Sequence, residues 1–387
     1  MKIEKQLPQA RILIVFEFCE SPQETMVPEV RDELEKRGAR VAYLQGIFRQ
    51  YRPGGLGWTR FLNYGWMALA LPWRLLSVRP TQVLVRSTPP GIQIWVALWM
   101  KLFRRKGVLW LMDYHPEIEA RGLENRGKFG RVVALWLRKI DRWSQGAYSK
   151  IVVPDAAMEE AVRANSSQAE IVVFPTWKTG AERRTPSKEQ ETTNRESRTS
   201  INERRTANEE QRTKILYCGN LGSGHDLEEF ERWTALVATN IHLFTVGTGD
   251  AGQSRFRELA DRSQNLAWTH WGALSDEELQ RRSGEEGVDF GLVLMKEQWA
   301  GLMSPSKYAT YLKLSLPILY FGPRHTNADR VCREFGGGCS FCGSDFSEEQ
   351  FLQIFNQKEY ARRMEGVRRA YSYFAAKNAA EFVRTVL

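Results

Sequence analysis

Lys214-Ile-Leu-Tyr-Cys-Gly-Asn-Leu-Gly-Ser-Gly-His-Asp226 decides the fold, read together with Ser304-Pro-Ser-Lys-Tyr-Ala-Thr-Tyr-Leu312. The apolar run Ile215 to Tyr217 breaks at Gly219. Gly222 and Gly224 follow before an acid-rich helical pattern begins at Asp226. This is the pattern of a buried strand, a tight turn and a helix start. Backbone amides at such a turn point outward and can hold an anion. In the second segment a Ser and a Pro precede a helical pattern whose first turn carries Lys307. A cation sits badly at the positive end of a helix dipole unless something negative is bound there. Two such helix starts in one half of a chain predict a diphosphate held between them.

The same alternation extends in both directions. Short β-branched runs without polar alternation predict buried parallel strands over 11–18, 40–44, 81–86, 108–112, 150–153 and 171–174. Helical spacing predicts helices over 26–37, 92–103, 132–144 and 156–164. The second half repeats the scheme, with strands expected over 214–218, 241–246, 266–268, 288–294 and 317–321 and a helical tail from 359. Such alternation predicts an α/β protein of two Rossmann-like, doubly wound domains, with ligands in a central cleft outside the carboxyl ends of the strands. The expected domains are 1–178 and 214–365, with a C-terminal helix over 366–387 that packs back on the first. Between them, 181–212 is rich in Glu, Arg, Thr, Ser and Asn, and Ile201 is its one large aliphatic residue. Such a segment cannot bury enough surface to order itself, so 179–213 is expected to be a disordered insert. Its many glutamates argue against a nucleic-acid arm.

The net charge of +9 over 387 residues favours anionic partners: a nucleotide, a lipid-linked phosphate or an anionic membrane. The basic residues are spread out and no recognition motif accompanies them, so nucleic acid is not expected. Of the 13 tryptophans, Trp58, Trp66, Trp73, Trp95, Trp99 and Trp110 fall in the first third among apolar residues. The stretch 61–76, flanked by Arg60 and containing Arg74, is either a core helix or a membrane-surface helix. The apolar stretches over 66–76 and 91–103 are too short to span a bilayer. The N-terminal residues lack the apolar core of a signal peptide. The expectation is a cytoplasmic protein, peripheral on the inner face of the membrane. The five cysteines cannot all pair within one chain. Cys339 and Cys342 have the spacing of a zinc or redox pair but no second pair to complete a site, so reduced thiols and no bound metal are expected.

Loops after strands carry the chemistry in such folds. In the second half these supply Gly219, Asn220, Gly222 and His225, then Gly247, then the turn at His270-Trp271-Gly272, then Ser306 and Lys307. The glycines allow close backbone approach, and His225, Ser306 and Lys307 can donate to phosphate oxygens. In the first half, Asp113, His115 and Glu117 crowd into five residues directly after a strand. They are the candidate catalytic or acceptor-contacting groups, since a carboxylate can act as base and a histidine can move a proton.

With these residues in view, the chain resembles GT-B glycosyltransferases of family 4, of the bacterial surface-polysaccharide type. The resemblance rests on Leu216 to Asp226 and Pro305 to Leu312 in the donor half. In the acceptor half it rests on Thr88-Pro89-Pro90, Met112 to Glu117, and Phe174-Pro-Thr-Trp177. It implies transfer of a sugar from a nucleoside-diphosphate donor to a hydroxyl of a glycan or lipid-linked acceptor, without a metal or other cofactor. It also implies a diphosphate held by Gly219 to Gly222, Ser306 and Lys307, a base near Trp271, and an acceptor near Thr88, Pro89 and Pro90. The family's two glutamates, eight positions apart, fall here on Leu302 and Thr310, so Lys307 is left to neutralise the leaving group. Two other functions fit the same architecture: a sugar-nucleotide epimerase, and an inactive nucleotide-sugar-binding partner.

Overall fold

The computed structural model describes residues 10–19, 25–48, 58–165, 169–177, 212–237, 240–342 and 357–387. The expected disordered insert lies outside these residues except for its last two positions. The described chain divides into two units. Unit 1 holds residues up to Thr179, Gly301–Ser304 and Ala376–Leu387; unit 2 holds Gly180–Ala300 and Pro305–Ala375.

Unit 1 is a six-stranded parallel sheet in the order β2-β1-β3-β4-β5-β6. Its strands are β1 (Arg11–Val15), β2 (Arg40–Leu44), β3 (Gln82–Arg86), β4 (Lys106–Trp110), β5 (Tyr148–Val153) and β6 (Glu170–Val173). The helices between them are α1 (Met26–Lys36), α2 (Trp58–Val78), α3 (Ile92–Leu102), α4 (Glu117–Glu124), α5 (Gly127–Gln145) and α6 (Ala156–Asn165). The order reverses between β1 and β3. Right-handed crossovers therefore put α1 on one face of the sheet and α2, α3 and α5 on the other. On the α1 face, Ile12, Ile14, Leu84, Val108 and Trp110 pack with Val30 and Leu34. Trp177 stacks on Trp110 with ring centroids 5.6 Å apart, and its indole N–H donates to Glu29 at 2.7 Å. The Phe174-Pro-Thr-Trp177 segment is thus part of a core.

Unit 2 repeats the design in the order β12-β11-β10-β7-β8-β9, again all parallel. Its strands are β7 (Thr213–Cys218), β8 (Ile241–Val246), β9 (Leu266–His270), β10 (Phe290–Leu294), β11 (Ile318–Phe321) and β12 (Gly338–Phe341). Its helices are α7 (Leu227–Leu236), α8 (Asp250–Arg262), α9 (Asp276–Glu285), α10 (Lys307–Lys313), α11 (Asn327–Arg333) and α12 (Gln357–Ala375). The last helix, α13 (Ala379–Val386), belongs to unit 1, where Phe382 and Val386 pack into the α1-side core. The strand β12 has no counterpart in the sequence reading. Gly338-Cys-Ser-Phe is too short and too small-residued to announce a strand, and it pairs because β11 leaves an edge free. The sequence pattern does not announce α4 either, since Glu117–Glu124 is only eight residues long. No described helix is long and apolar enough to cross a membrane.

A buried polar cluster braces the loop after β4. Asp141 of α5 is 2% exposed. Its Oδ2 accepts from Gln145 at 2.6 Å, from Tyr114 at 3.3 Å and from Asn165 at 3.3 Å. Burial pushes the Asp141 carboxyl up to about 7 despite these donors, and Glu117 adds to the rise. A carboxyl raised in the folded state stabilises fully only below its unfolded value. The contribution of Asp141 to stability is therefore expected to fall as pH rises from about 4 through about 7. Asp141→Asn keeps the hydrogen-bond geometry and removes the ionisation. Melting curves at pH 5 and 8 should show a smaller difference for the variant than for the parent; an unchanged difference would mean that Asp141 does not carry it.

Candidate active site

In a parallel sheet every strand delivers its carboxyl end to the same edge, and the loops there are neighbours. In unit 2 they are bolted together by backbone bonds. Gly219 N–H donates to Val246 O at 2.7 Å, and Gly247 N–H donates to Gly272 O at 2.8 Å. Gly219 has φ 91° and Gly247 φ 66°, in the left-handed region that favours glycine. A Cβ on Gly247 would stand 3.9 Å from the Cα of Gly219, so the two turns lie back to back. The loop after β10 joins them through Lys296 N–H, which donates to Gly224 O at 2.9 Å.

The side chain of Lys307 lies over this cradle. Its ammonium is 2.7 Å from His225 Nε2, 3.3 Å from Asn220 O and 5.0 Å from the centre of the Tyr217 ring. The His225 ring braces the glycine turn, with Nδ1 2.9 Å from Gly222 N and 3.2 Å from Gly222 O. Burial pulls His225 down to about 4, and the Lys307 charge adds to the shift, so the ring is neutral near pH 7. Burial also pulls Lys307 down to about 8. The arrangement is a desolvated cation over glycine amides, which suits an incoming anion. The helix α10, whose first residue is Lys307, has only seven residues and no side-chain cap, with Ser306 exposed at its start.

Tyr311 pins α10 against the cradle. Its hydroxyl accepts from Cys218 N–H at 2.9 Å and donates to Leu292 O at 2.9 Å. Gly291 makes room for the ring, since a Cβ there would meet Tyr311 at 2.2 Å.

Of the expected donor-side residues, the structure brings together Gly219, Asn220, Gly222, His225, Gly247 and Lys307. The Trp271 side chain is packed into the unit 2 core. Its ring is buried and stacks on Phe244 at 4.5 Å, Arg282 covers it at 4.9 Å, and its backbone N–H donates to Thr245 O at 2.9 Å. His270 Nδ1 instead reaches Thr245 Oγ1 at 3.0 Å and Thr248 Oγ1 at 3.4 Å. Thr248, just past Gly247, is a polar residue of this cluster that the sequence reading passed over.

Unit 1 has its own loop cluster where the strand order reverses. Glu17 N–H donates to Thr88 O at 3.2 Å, and Ser87 N–H donates to Trp110 O at 3.1 Å, tying the ends of β1, β3 and β4. Thr88–Pro89 and His115–Pro116 are cis. The Arg86 guanidinium lies between the Phe16 and Trp110 rings, 4.5 Å and 5.0 Å from their centres. Burial pushes the Asp113 carboxyl up, against the opposing charges of His115 and Arg86. His115 Nδ1 is 2.6 Å from Glu119 Oε1, and Gln93 donates to the His115 carbonyl at 2.7 Å. Burial pushes Glu119 up, but the His115 hydrogen bond and charge outweigh it and leave the carboxyl low.

Glu117 does not join Asp113 and His115. Arg138 grips its carboxylate in a two-point fork at 2.7 Å and 2.8 Å, and Arg121 adds a third bond at 3.1 Å. A carboxylate committed to two guanidiniums is a poor base, so its place is structural. The residue that pairs with His115 is Glu119. The signal was present in the sequence, because four residues is one helical turn, but it needed the helix to begin at Glu117.

Tyr311→Phe should strand the Cys218 amide and the Leu292 carbonyl, at a cost of about 1–3 kcal/mol. Urea unfolding of the two proteins would measure it; an unchanged midpoint would remove Tyr311 as the pin.

No family model matches the chain, and no curated protein matches its sequence. Solved structures do. Sucrose-phosphate synthase from Thermosynechococcus elongatus is similar over 97% of this chain and 99% of that one, at 11% identity and TM-score 0.64. The lipopolysaccharide outer core galactosyltransferase WaaB is similar over 97% and 100%, at 12% identity and TM-score 0.57. HepE of Anabaena, solved in complex with UDP, is similar over 97% and 99%, at 8% identity and TM-score 0.57. The chain therefore has the two-domain, Rossmann-like GT-B fold found in glycosyltransferases.

Proposed function

We propose that this protein is a glycosyltransferase of the family 4 type. It would transfer a sugar from a nucleoside diphosphate to a hydroxyl of a glycan or lipid-linked acceptor, in bacterial surface-polysaccharide synthesis at the cytoplasmic face of the membrane. The observation that carries this reading is the Lys307 ammonium over the glycine cradle of Gly219, Gly222 and Gly247. Unit 2 holds the diphosphate there. Lys307 and the loop amides stabilise it as the bond between its oxygen and the sugar's anomeric carbon breaks, which is electrostatic catalysis. That positive charge is supplied by the chain itself, so the reading needs no metal. The UDP bound to HepE supports a nucleotide in this fold.

Unit 1 holds the acceptor beside Thr88, Pro89 and Pro90. As the anomeric carbon bonds to the acceptor oxygen, the hydroxyl proton passes to His115 Nε2. Glu119 holds Nδ1 and orients the ring. Asp113 and Arg86 lie on the same cluster of loops and set its charge.

Incubation with a panel of sugar nucleotides, with and without membrane extract, tests the reading. Free nucleotide should appear only when acceptor is present. Conversion of the sugar nucleotide without acceptor would mean an epimerase, and binding without turnover an inactive partner. His115→Ala should lower kcat about 100-fold or more. Glu119→Gln should lower it less, and Glu117→Gln should lower the melting temperature more than the rate.

Lys307→Ala should weaken UDP binding about tenfold or more, in line with loss of a charge-assisted hydrogen bond. The pH dependence has a definite sign. Lys307 is charged below about 8, and an anion stabilises that form. UDP affinity measured by calorimetry should be level below about pH 8 and fall above it. A flat profile to pH 9.5 would remove Lys307 from the binding step.

A further inference from the structure

We infer that unit 1 carries a three-helix docking surface for an anionic lipid bilayer, formed by α2, α3 and α5 together. A helix on a soluble protein turns its apolar stripe inward and a polar face to water. These three helices are apolar on both sides. On α2, Met67, Leu71 and Leu75 are buried against the sheet, while Trp58 is 81% exposed, Leu69 79% and Trp73 73%. On α3, Val96, Ala97 and Met100 are buried, and Trp95 and Leu102 face outward. On α5, Ala134 is buried, and Phe129, Leu135, Trp136 and Trp143 are exposed.

The helices adjoin one another on the sheet face opposite α1, so their outer surfaces form one patch. Lys101 of α3 bridges to α5 by donating to Trp143 O at 2.8 Å. Its ammonium also lies 4.2 Å from the Trp143 ring centre. Among the described residues, every exposed large hydrophobic side chain except Ile47, Phe48 and Leu236 belongs to this patch. Such concentration is far beyond the scattered apolar residues of an ordinary surface.

Charge selects the occupant. The sequences of α2 and α3 contain no acidic residue, and the one acid of α5, Asp141, is buried. The exposed charges are Arg74, Lys101, Lys128, Arg131, Lys139 and Arg142, all positive. Exposed tryptophans beside cations, with Lys101 on Trp143 and Lys139 on Trp136, suit the boundary between headgroups and acyl chains. A second copy meeting this face would press like charges together. The surface needs no nucleotide, so it stands apart from the transfer reaction.

The test uses the whole protein with vesicles of phosphatidylcholine, with and without one third phosphatidylglycerol, and reads the fraction that sediments. Binding to the anionic vesicles is expected to be at least tenfold tighter than to the neutral ones and to weaken in 0.5 M salt. The triple variant Lys128→Glu, Arg131→Glu, Lys139→Glu should reduce anionic-vesicle binding at least tenfold. Trp73→Ser with Trp136→Ser should reduce it too and abolish any blue shift of tryptophan fluorescence; circular dichroism checks that both fold. Equal binding by parent and variants, no binding to either vesicle, or a dimer at micromolar concentration that the tryptophan variant dissolves would overturn the proposal.

Discussion

All the strands within each sheet run the same way, and the rest of the structure depends on that constraint. Parallel pairing sends each chain segment back through a helix, so all the strand ends that precede helices gather on one edge. In unit 2 the ends of β7, β8 and β9 then come close enough for Gly219 to donate to Val246 and Gly247 to Gly272. Neither turn tolerates a side chain easily, because both glycines have positive φ. The cradle under Lys307 is a by-product of sheet geometry, tuned by glycine at two positions.

The charges around the cradle are set by burial more than by pairing. His225 is held neutral and Lys307 is brought near physiological pH by the same loss of solvent. A desolvated ammonium that meets Asn220 O, the His225 ring and the Tyr217 ring rather than a carboxylate keeps its field for a ligand. Unit 1 handles charge differently. Glu117, Glu124, Arg121 and Arg138 neutralise one another in a network. That network fixes α4 against α5 and leaves His115 with Glu119. Two carboxylates two residues apart, Glu117 and Glu119, therefore have unlike roles because they sit on different sides of one helix.

The two faces of the unit 1 sheet are finished in opposite ways. The α1 face is sealed by α13, whose Phe382 lies 4.5 Å from Trp110. The other face is covered by helices whose outer surfaces stay apolar. Composition alone left both a core helix and a membrane helix open for residues 61–76. Both descriptions hold for different sides of α2, with Met67 fully buried and Leu69 largely exposed.

By itself, the order of residues determined the α/β class, the six strands of unit 1 with most of their helices, and the glycine loop after β7. These are local patterns, readable from periodicity and from where glycine interrupts it. Lys307 stood out because a cation opening a helix is locally unfavourable. Tertiary structure alone decided that Lys307 meets His225, 82 positions away, that Trp271 is covered by Arg282, and that Glu117 is taken by Arg138 while Glu119 meets His115. It also decided that α3 and α5 extend the exposed face of α2. Which side chains meet across such separations depends on crossover handedness and sheet order, and those are settled only when the strands pair.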